Sequence, residues 1–275
     1  MYKKFYNLKE NPFKLSPSLK YYFISPKIQN MLKVLNYGIE NKIGFIMISG
    51  KVGIGKTSFL RYFLSNLSDD IERAYLYNPT FSNTEDLLKF LLVDLKIVNK
   101  NEIENINSKV TLLNYLHDFL LKKYKENKKV LFIVDDAQAS PDFILEELRL
   151  LSNFETNEEK LLQILLIGQP ELEKKLKQKN LRQLNQRIGI KIKFTPFSLE
   201  ETDAYINFRL IKAGAQMNFF DKKAIKYIHK VSKGLPRLIN LIAERSLIVG
   251  YLYSKPTISK KEVKIAYREI KEWVL

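Results

Sequence analysis

The sequence predicts an α/β protein in which a mostly parallel sheet, covered by helices, is followed by a smaller all-helical domain. Three observations predict it. Short apolar runs alternate with long amphipathic stretches as far as residue 195, the pattern of successive strand–helix–strand units. A glycine-rich turn, Gly50-Lys51-Val52-Gly53-Ile54-Gly55-Lys56-Thr57, joins the first apolar run to a helical stretch. After Pro196 the apolar runs stop and only helical periodicity continues.

Taken in order, Ile43–Ser49 (IGFIMIS) reads as a buried strand and Lys56–Leu67 as the helix after it. Arg73–Asn78 is a second strand, followed by helical stretches at Thr84–Leu95 and Val110–Glu126. Val130–Val134 (VLFIV) is a third strand, rich in β-branched residues. Ser140-Pro141 then opens a helix, with Ser as N-cap and Pro at the first position, whose apolar side is Ile144, Leu148, Leu151 and Phe154. Leu162–Ile167 is a fourth strand and Ile190–Phe194 a fifth. Leu199–Ala213, Ala224–Ser232, Arg237–Tyr251 and Lys260–Trp273 read as helices separated by Gly214, Gly234 and Pro256. The expected division is a body over residues 1–195, including an N-terminal extension, and a helical domain over 196–275.

Composition narrows the chemistry. The 275 residues include no cysteine, which excludes disulfides, thiol nucleophiles and thiolate metal sites. The two histidines, His117 and His229, are too few for a histidine metal cluster. The longest apolar runs fall short of a membrane span or, at Leu238–Tyr253, are broken by Glu244 and Arg245. Met1-Tyr-Lys-Lys-Phe-Tyr has no hydrophobic signal core, so a reducing, cytoplasmic location is expected. The net charge is +16, and thirty-seven of the 46 basic residues are lysine. A solvated surface, a nucleic acid partner and an anionic lipid surface all remain open on that balance.

The glycine-rich turn fits G-x-x-x-x-G-K-[ST] at every fixed position, with a strand before it and a helix after. Glycines let the loop wrap with its amides inward, forming an anion nest to which the helix N-terminus adds its positive end. Residues Gly50 to Ser58 are therefore the expected phosphate site for ATP, with Lys56 reaching the β- and γ-phosphates and the Thr57 hydroxyl on Mg²⁺. Asp135, at the C-terminal end of the third strand, is the second expected Mg²⁺ residue, held through the metal's water shell. Asp136 follows as candidate base or water-positioning residue.

Several blocks together carry a resemblance. They are Tyr2…Phe5-Tyr-Asn-Leu8…Asn11-Pro12-Phe13, Tyr22-Phe-Ile-Ser25, Leu35-Asn-Tyr37-Gly38-Ile39 and Gly44-Phe45. Further on come Asp135-Asp136-Ala137-Gln138, Leu150–Glu155, Gly168-Gln169-Pro170-Glu171-Leu172, Leu181–Ile188 and Gly234-Leu-Pro236-Arg237-Leu-Ile-Asn240. The sequence resembles the ExeA/GspA-type AAA+ ATPases, including short pilus-biogenesis members of the MshM kind, over nearly its whole length. The resemblance implies a P-loop αβα sandwich of AAA+ type with a C-terminal helical lid, working as a ring or other oligomer. It implies a sensor-1 role for Gln169, a sensor-2 role for Arg237, and an arginine finger offered to a neighbouring subunit by Arg182 or Arg187. It also implies ATP hydrolysis that drives conformational change, accessory to type II secretion or type IV (MSHA-like) pilus assembly, with envelope assembly proteins as partners.

At Asp136 the family has Glu, so the carboxylate is one methylene shorter; slow turnover, or an ATP-gated switch with little hydrolysis, is an alternative expectation. Longer members carry a membrane span and a periplasmic peptidoglycan-binding region that this sequence lacks, which leaves a cytoplasmic ATPase or one at the periphery of the inner membrane. A DNA-associated regulator of transposition, using duplex DNA as partner, is the second class, motivated by the charge. The basic stretch Lys174–Lys193 would then be a DNA track, or otherwise a face between subunits. The aromatic-rich start, Phe5 to Phe23, is expected to pack along the ATPase body and help form an adenine pocket; a grip on single strands by stacking is its other reading.

Overall fold

The computed structural model describes the backbone of residues 1–274 and the side chains of residues 1–271. Five strands form one sheet: β1 (Phe45–Ser49), β2 (Ile71–Leu76), β3 (Lys129–Val134), β4 (Gln163–Gly168) and β5 (Ile188–Lys193). Their order is β2-β3-β4-β1-β5, and every pairing is parallel. A parallel sheet must be covered on both faces, and β1 and β4 accordingly bury every residue. Two strands start two residues before their apolar runs: β2 begins at Ile71 and β5 at Ile188. Gln163 opens β4 at 2 % exposure because its Nε2 donates to the carbonyls of Gly38 (3.1 Å) and Ile43 (3.2 Å).

The helices are α1 (Tyr2–Phe5), α2 (Pro26–Glu40), α3 (Lys56–Ser65), α4 (Thr84–Asp94), α5 (Lys100–Ile103), α6 (Lys109–Lys125) and α7 (Asp142–Leu151). They continue with α8 (Pro170–Leu176), α9 (Arg182–Arg187), α10 (Leu199–Lys212), α11 (Lys222–Ser232), α12 (Pro236–Leu252) and α13 (Lys260–Val274). The sequence pattern gives neither α2 nor the short helices α1, α5, α8 and α9. It also misplaces the start of α7. That helix begins at Asp142 with Pro141 as N-cap, and among the described residues the buried Ser140 hydroxyl has no hydrogen-bond partner. Ser140 sits one residue too early to reach the helix amides, whose first bonds run from Ile144 and Leu145 to the Pro141 carbonyl.

The chain divides into two compact units. One comprises residues 28–51 and 66–194 and contains the sheet. Its core packs Leu87, Leu88 and Leu91 of α4, Leu112 and Leu116 of α6, and Ile144 and Leu148 of α7 with Phe132 and Ile164 of the sheet. The other comprises residues 1–27, 52–65 and 195–275. Its core joins the helices α10–α13 to Tyr6, Leu8, Phe13 and Tyr21 of the N-terminal segment. Tyr6, Phe13 and Tyr21 of the aromatic start thus pack into the core of the C-terminal helices, a correction to their expected place along the ATPase body, while Tyr22 stacks on Tyr62 of α3 at 4.9 Å. Tyr6 and Phe13 meet Phe219 and Phe220, whose rings lie 4.9 Å from Tyr6 and 6.2 Å from Phe13.

Candidate functional site

In the sheet-bearing unit the candidate residues stand at the C-terminal ends of adjacent strands, where open α/β sheets bind their ligands. The N–H of Gly50 donates to the Gly168 carbonyl at 3.2 Å, so the glycine-rich loop leaves β1 directly beside the tip of β4. Ser49, the last residue of β1, is 1 % exposed and donates its hydroxyl to Glu173 on α8. Lys193 at the end of β5 lies 3.7 Å from the same carboxylate.

Asp135 follows β3 and is 9 % exposed. Its backbone N–H donates to the Leu76 carbonyl at 2.9 Å, which pins it to the end of β2. Its Oδ2 accepts from the Tyr75 hydroxyl at 2.9 Å, and its Oδ1 from the Asp136 N–H at 2.9 Å. Both bonds fix the plane of the carboxylate. Asp136 is exposed and left-handed, with φ 49° and ψ 37°. Aspartate tolerates that region better than most residues, but the turn holds it at some cost.

Gln138 joins these residues to β4. Its Nε2 donates to Asp136 Oδ1 at 3.0 Å, and its Oε1 accepts from the Gln169 N–H at 2.9 Å. A Cβ on Gly168 would stand 2.9 Å from that Oε1 and 2.8 Å from Leu172 Cδ2, so glycine is what lets the amide approach. Gln169 itself is half-buried and caps α8, with Pro170 at the first helical position. The structure therefore brings Asp135, Asp136 and Gln169 into one bonded network. Its connectors, Tyr75 and Gln138, have no role in the sequence reading. Gln138 carried a signal only as the fourth residue of the Asp-Asp-Ala-Gln block, and Tyr75 carried none.

The two arginines of α9 differ. Arg187 Nη1 donates to Ser152 Oγ at 2.9 Å, to the Arg149 carbonyl at 3.3 Å and to Asn153 Oδ1 at 2.5 Å, closing the C-terminal end of α7. Arg182 opens α9, is exposed, and among the described residues makes no side-chain hydrogen bond or ion pair.

In the helical unit, Gly53 (φ 74°) and Gly55 (φ 104°) have the left-handed backbone that the loop needs. A Cβ at Gly55 would meet nothing within 4 Å, so that side of the loop is open to a ligand. Lys56 starts α3, Thr57 is exposed, Ser58 is half-buried and Ile54 is buried, while no acidic residue occupies the helix's first turn. The first-turn amides and the helix dipole of α3 therefore favour an anion. The N–H of Arg237, second residue of α12, donates to the Gly53 carbonyl at 3.1 Å. Upstream, Gly234 (φ 71°) lets Phe197 donate its N–H to the Gly234 carbonyl at 2.9 Å; a Cβ there would stand 2.2 Å from the Phe197 carbonyl oxygen. Farther along α12, Glu244 Oε1 accepts from the Tyr2 hydroxyl and Asn11 Nδ2, both at 2.7 Å, and burial raises its carboxyl above the ordinary range.

Against known proteins, a model of the AAA domain matches residues 40–176. General secretion pathway protein A of Aeromonas hydrophila is 38% identical over 270 residues, 98% of this chain. The chain carries an AAA domain over residues 40–176. The chain spans about half the length of that curated relative, 48% of it. Among solved structures, Cdc6p of Pyrobaculum aerophilum shares 17% identity at a TM-score of 0.67, covering 96% of this chain and 72% of its own. The ORC2 protein of Aeropyrum pernix, determined as ADPNP–ADP complexes, gives 17% and 0.65, covering 95% and 71%. The RuvB branch migration motor of Thermotoga maritima gives 15% and 0.57, covering 94% and 73%. At these identities the likeness shows the fold: a P-loop parallel αβα sandwich with a helical domain, as the sequence predicts. Among the described residues no helix is long and apolar enough to cross a membrane.

Proposed function

We propose that this chain binds Mg²⁺-ATP along Gly50–Ser58 and hydrolyses it to drive a conformational change. The observation that carries the reading is the loop itself, left-handed at Gly53 and Gly55 with an open flank and running into the acid-free first turn of α3. Lys56 would hold the β- and γ-phosphates, and Thr57 and Asp135 the Mg²⁺. The donor set suits that metal, which takes one or two protein oxygens and completes its shell with water and phosphate. Bound Mg²⁺ would neutralise charge that develops on the transferring phosphoryl group. Asp136 would orient the attacking water, aided by Gln169.

Arg182, in preference to Arg187, would be the cation offered to a neighbouring copy in a ring or other oligomer, because Arg187 is spent on α7. Arg237, whose N–H holds Gly53, would read the nucleotide with its guanidinium from the lid, residues 196–275, while 1–195 forms the ATPase body. Similarity to general secretion pathway protein A supports a role as accessory ATPase of a secretion pathway, with proteins of that machinery as partners; pilus assembly is the related role that the sequence resemblance adds.

An ATP-gated switch with little hydrolysis is the second reading, favoured by the position of Asp136. Its short carboxylate is already bonded to Gln138. The test is ATP binding and turnover of the purified chain alongside Lys56→Ala. Binding and turnover that both vanish in the variant support hydrolysis at this site, and binding without turnover supports the switch. Binding unaffected by Lys56→Ala sinks both.

A further inference from the structure

The last three helices of the helical unit, with their connections, carry most of the chain's excess charge. Residues 212–275 hold fourteen Lys and Arg against five Asp and Glu, so more than half of the net +16 falls in under a quarter of the sequence. A lysine habit spread evenly over the surface does not give that distribution.

The fold concentrates it further. The N–H of Asp221 donates to the Ile258 carbonyl at 3.0 Å, and the N–H of Ile258 donates to the Phe219 carbonyl at 2.7 Å. These bonds set the first turns of α11 and α13 side by side, at the end of the unit where α10 and α12 finish. Lys222, Lys223 and Lys226 stand exposed on α11, and Lys260, Lys261 and Lys264 on α13. The Lys260 ammonium lies 5.6 Å from the Tyr227 ring centroid, so the charge of α13 reaches across to α11.

Among the described residues no carboxylate forms an ion pair with them, although Glu262 feels the charge of Lys261. Asp221 Oδ1 accepts from the Ala224 N–H at 2.6 Å as a helix cap. Glu262 is 5 % exposed, its Oε2 accepting from the Ser259 N–H and hydroxyl at 2.8 and 2.6 Å. Glu269 is paired with Arg245. Among the described residues none of the six lysines forms an ion pair.

The same end exposes apolar side chains. Leu252 and Tyr253, where α12 stops, are 68% and 61% exposed, and Met217, two residues before Phe219, is 64% exposed. A solvated lysine face has no use for them, and neither has a phosphodiester backbone. A bilayer interface takes both, burying apolar groups at the headgroup–acyl boundary while lysines meet the acidic headgroups. Lysine in all six places also suits that partner, since a point charge serves a laterally mobile field of headgroups where guanidinium forks serve fixed sites.

We propose that this end of the helical unit docks on an anionic lipid bilayer. Leu252, Tyr253 and Met217 enter the headgroup boundary, and the lysines at the first turns of α11 and α13 hold the surface charge. The surface lies apart from the nucleotide reading, and its test needs no ATP turnover.

The experiment is co-sedimentation of the full chain with vesicles of phosphatidylcholine alone and of phosphatidylcholine with phosphatidylglycerol, at low and moderate salt. The chain is expected to bind only the phosphatidylglycerol vesicles, and less at the higher salt. The variant carrying Lys222→Ala, Lys223→Ala, Lys260→Ala and Lys261→Ala is expected to lose about a hundredfold or more in partitioning. Leu252→Ser with Tyr253→Ser is expected to lose about tenfold. A control, Lys177→Ala with Lys179→Ala, removes equal charge per pair from the other unit and should bind as the parent. Melting temperatures verify that each variant is folded. Failure to bind phosphatidylglycerol vesicles overturns the proposal, as does a control that loses as much as the patch variants. Duplex DNA binding that the lysine variant loses and the Leu252/Tyr253 variant keeps, without vesicle binding, makes the surface a nucleic acid site instead.

Discussion

Arg237 and Gly53 are joined through their main chains: the arginine N–H donates to the glycine carbonyl at 3.1 Å, and a Cβ on Gly53 would stand 2.9 Å from the arginine Cβ. The first turn of α12 therefore rests directly on the glycine-rich loop, and a shift of one displaces the other. Gly53→Ala adds a clash to a backbone at φ 74°, where a side chain alone costs about 1–2 kcal/mol. ATP affinity should fall about tenfold or more in Gly53→Ala. Arg237→Ala keeps the main-chain bond, so affinity should change little while turnover falls. Titration with a fluorescent ATP analogue, beside steady-state turnover, checks both; equal losses of affinity in the two variants would count against the assigned roles.

Gln138 spans Asp136 and the tip of β4 with bonds of 3.0 and 2.9 Å. A carboxylate held that way has a defined direction, and a misplacement of about 1 Å can cost about a hundredfold in rate. Gln138→Ala should lower kcat by about ten- to a hundredfold with KM nearly unchanged. Gln138→Glu, which sets a second carboxylate against Asp136 in place of a donor, should lower kcat as well. An unchanged kcat in Gln138→Ala would show that the bridge does not position Asp136.

The sequence carried the strands and the phosphate loop because both depend on local chemistry. β3 ends at Val134, as its apolar run does, and α3 begins at Lys56, where the motif places it. Helix α2 escaped notice because Val34 and Tyr37 are exposed within it and blur the stripe of Ile28, Leu35 and Ile39. Tyr75 and Gln138 escaped for another reason: they reach Asp135 and Gln169 across 60 and 31 residues, and only the assembled sheet brings them close. The N-terminal aromatics were legible as buried, but not as part of the core formed with α10–α13.

Arg182 and Arg187 share one short helix and should separate cleanly by mutation. Arg187→Ala strips three acceptors at the end of α7 of their donor, so stability should fall by about 1–3 kcal/mol. Arg182→Ala removes an exposed side chain, so its melting temperature should match the parent. If Arg182 serves a neighbouring copy, the variant should still bind ATP but lose most of its turnover. Mixing it with Lys56→Ala, which still offers Arg182, should then restore part of the activity. A stable Arg187→Ala with lost turnover would reverse the assignment.

Glu244 gives a pH signature that belongs to the helical unit alone. Burial raises its carboxyl above the ordinary range, against the lowering effect of bonds from Tyr2 and Asn11. The folded state thus holds the proton to higher pH than the unfolded chain does. Between the unfolded and folded pKa the folded state binds more protons, so this group's contribution to stability falls as pH rises through that window. Below the unfolded pKa its contribution is fully present. Glu244→Gln keeps a carbonyl oxygen for Tyr2 and Asn11 and cannot ionise. Urea unfolding from pH 4 to 8 should show the parent losing stability relative to Glu244→Gln as pH rises. The gap should open from the acid side and level off once Glu244 is ionised in both states. A gap independent of pH would mean that the buried carboxyl is not what titrates.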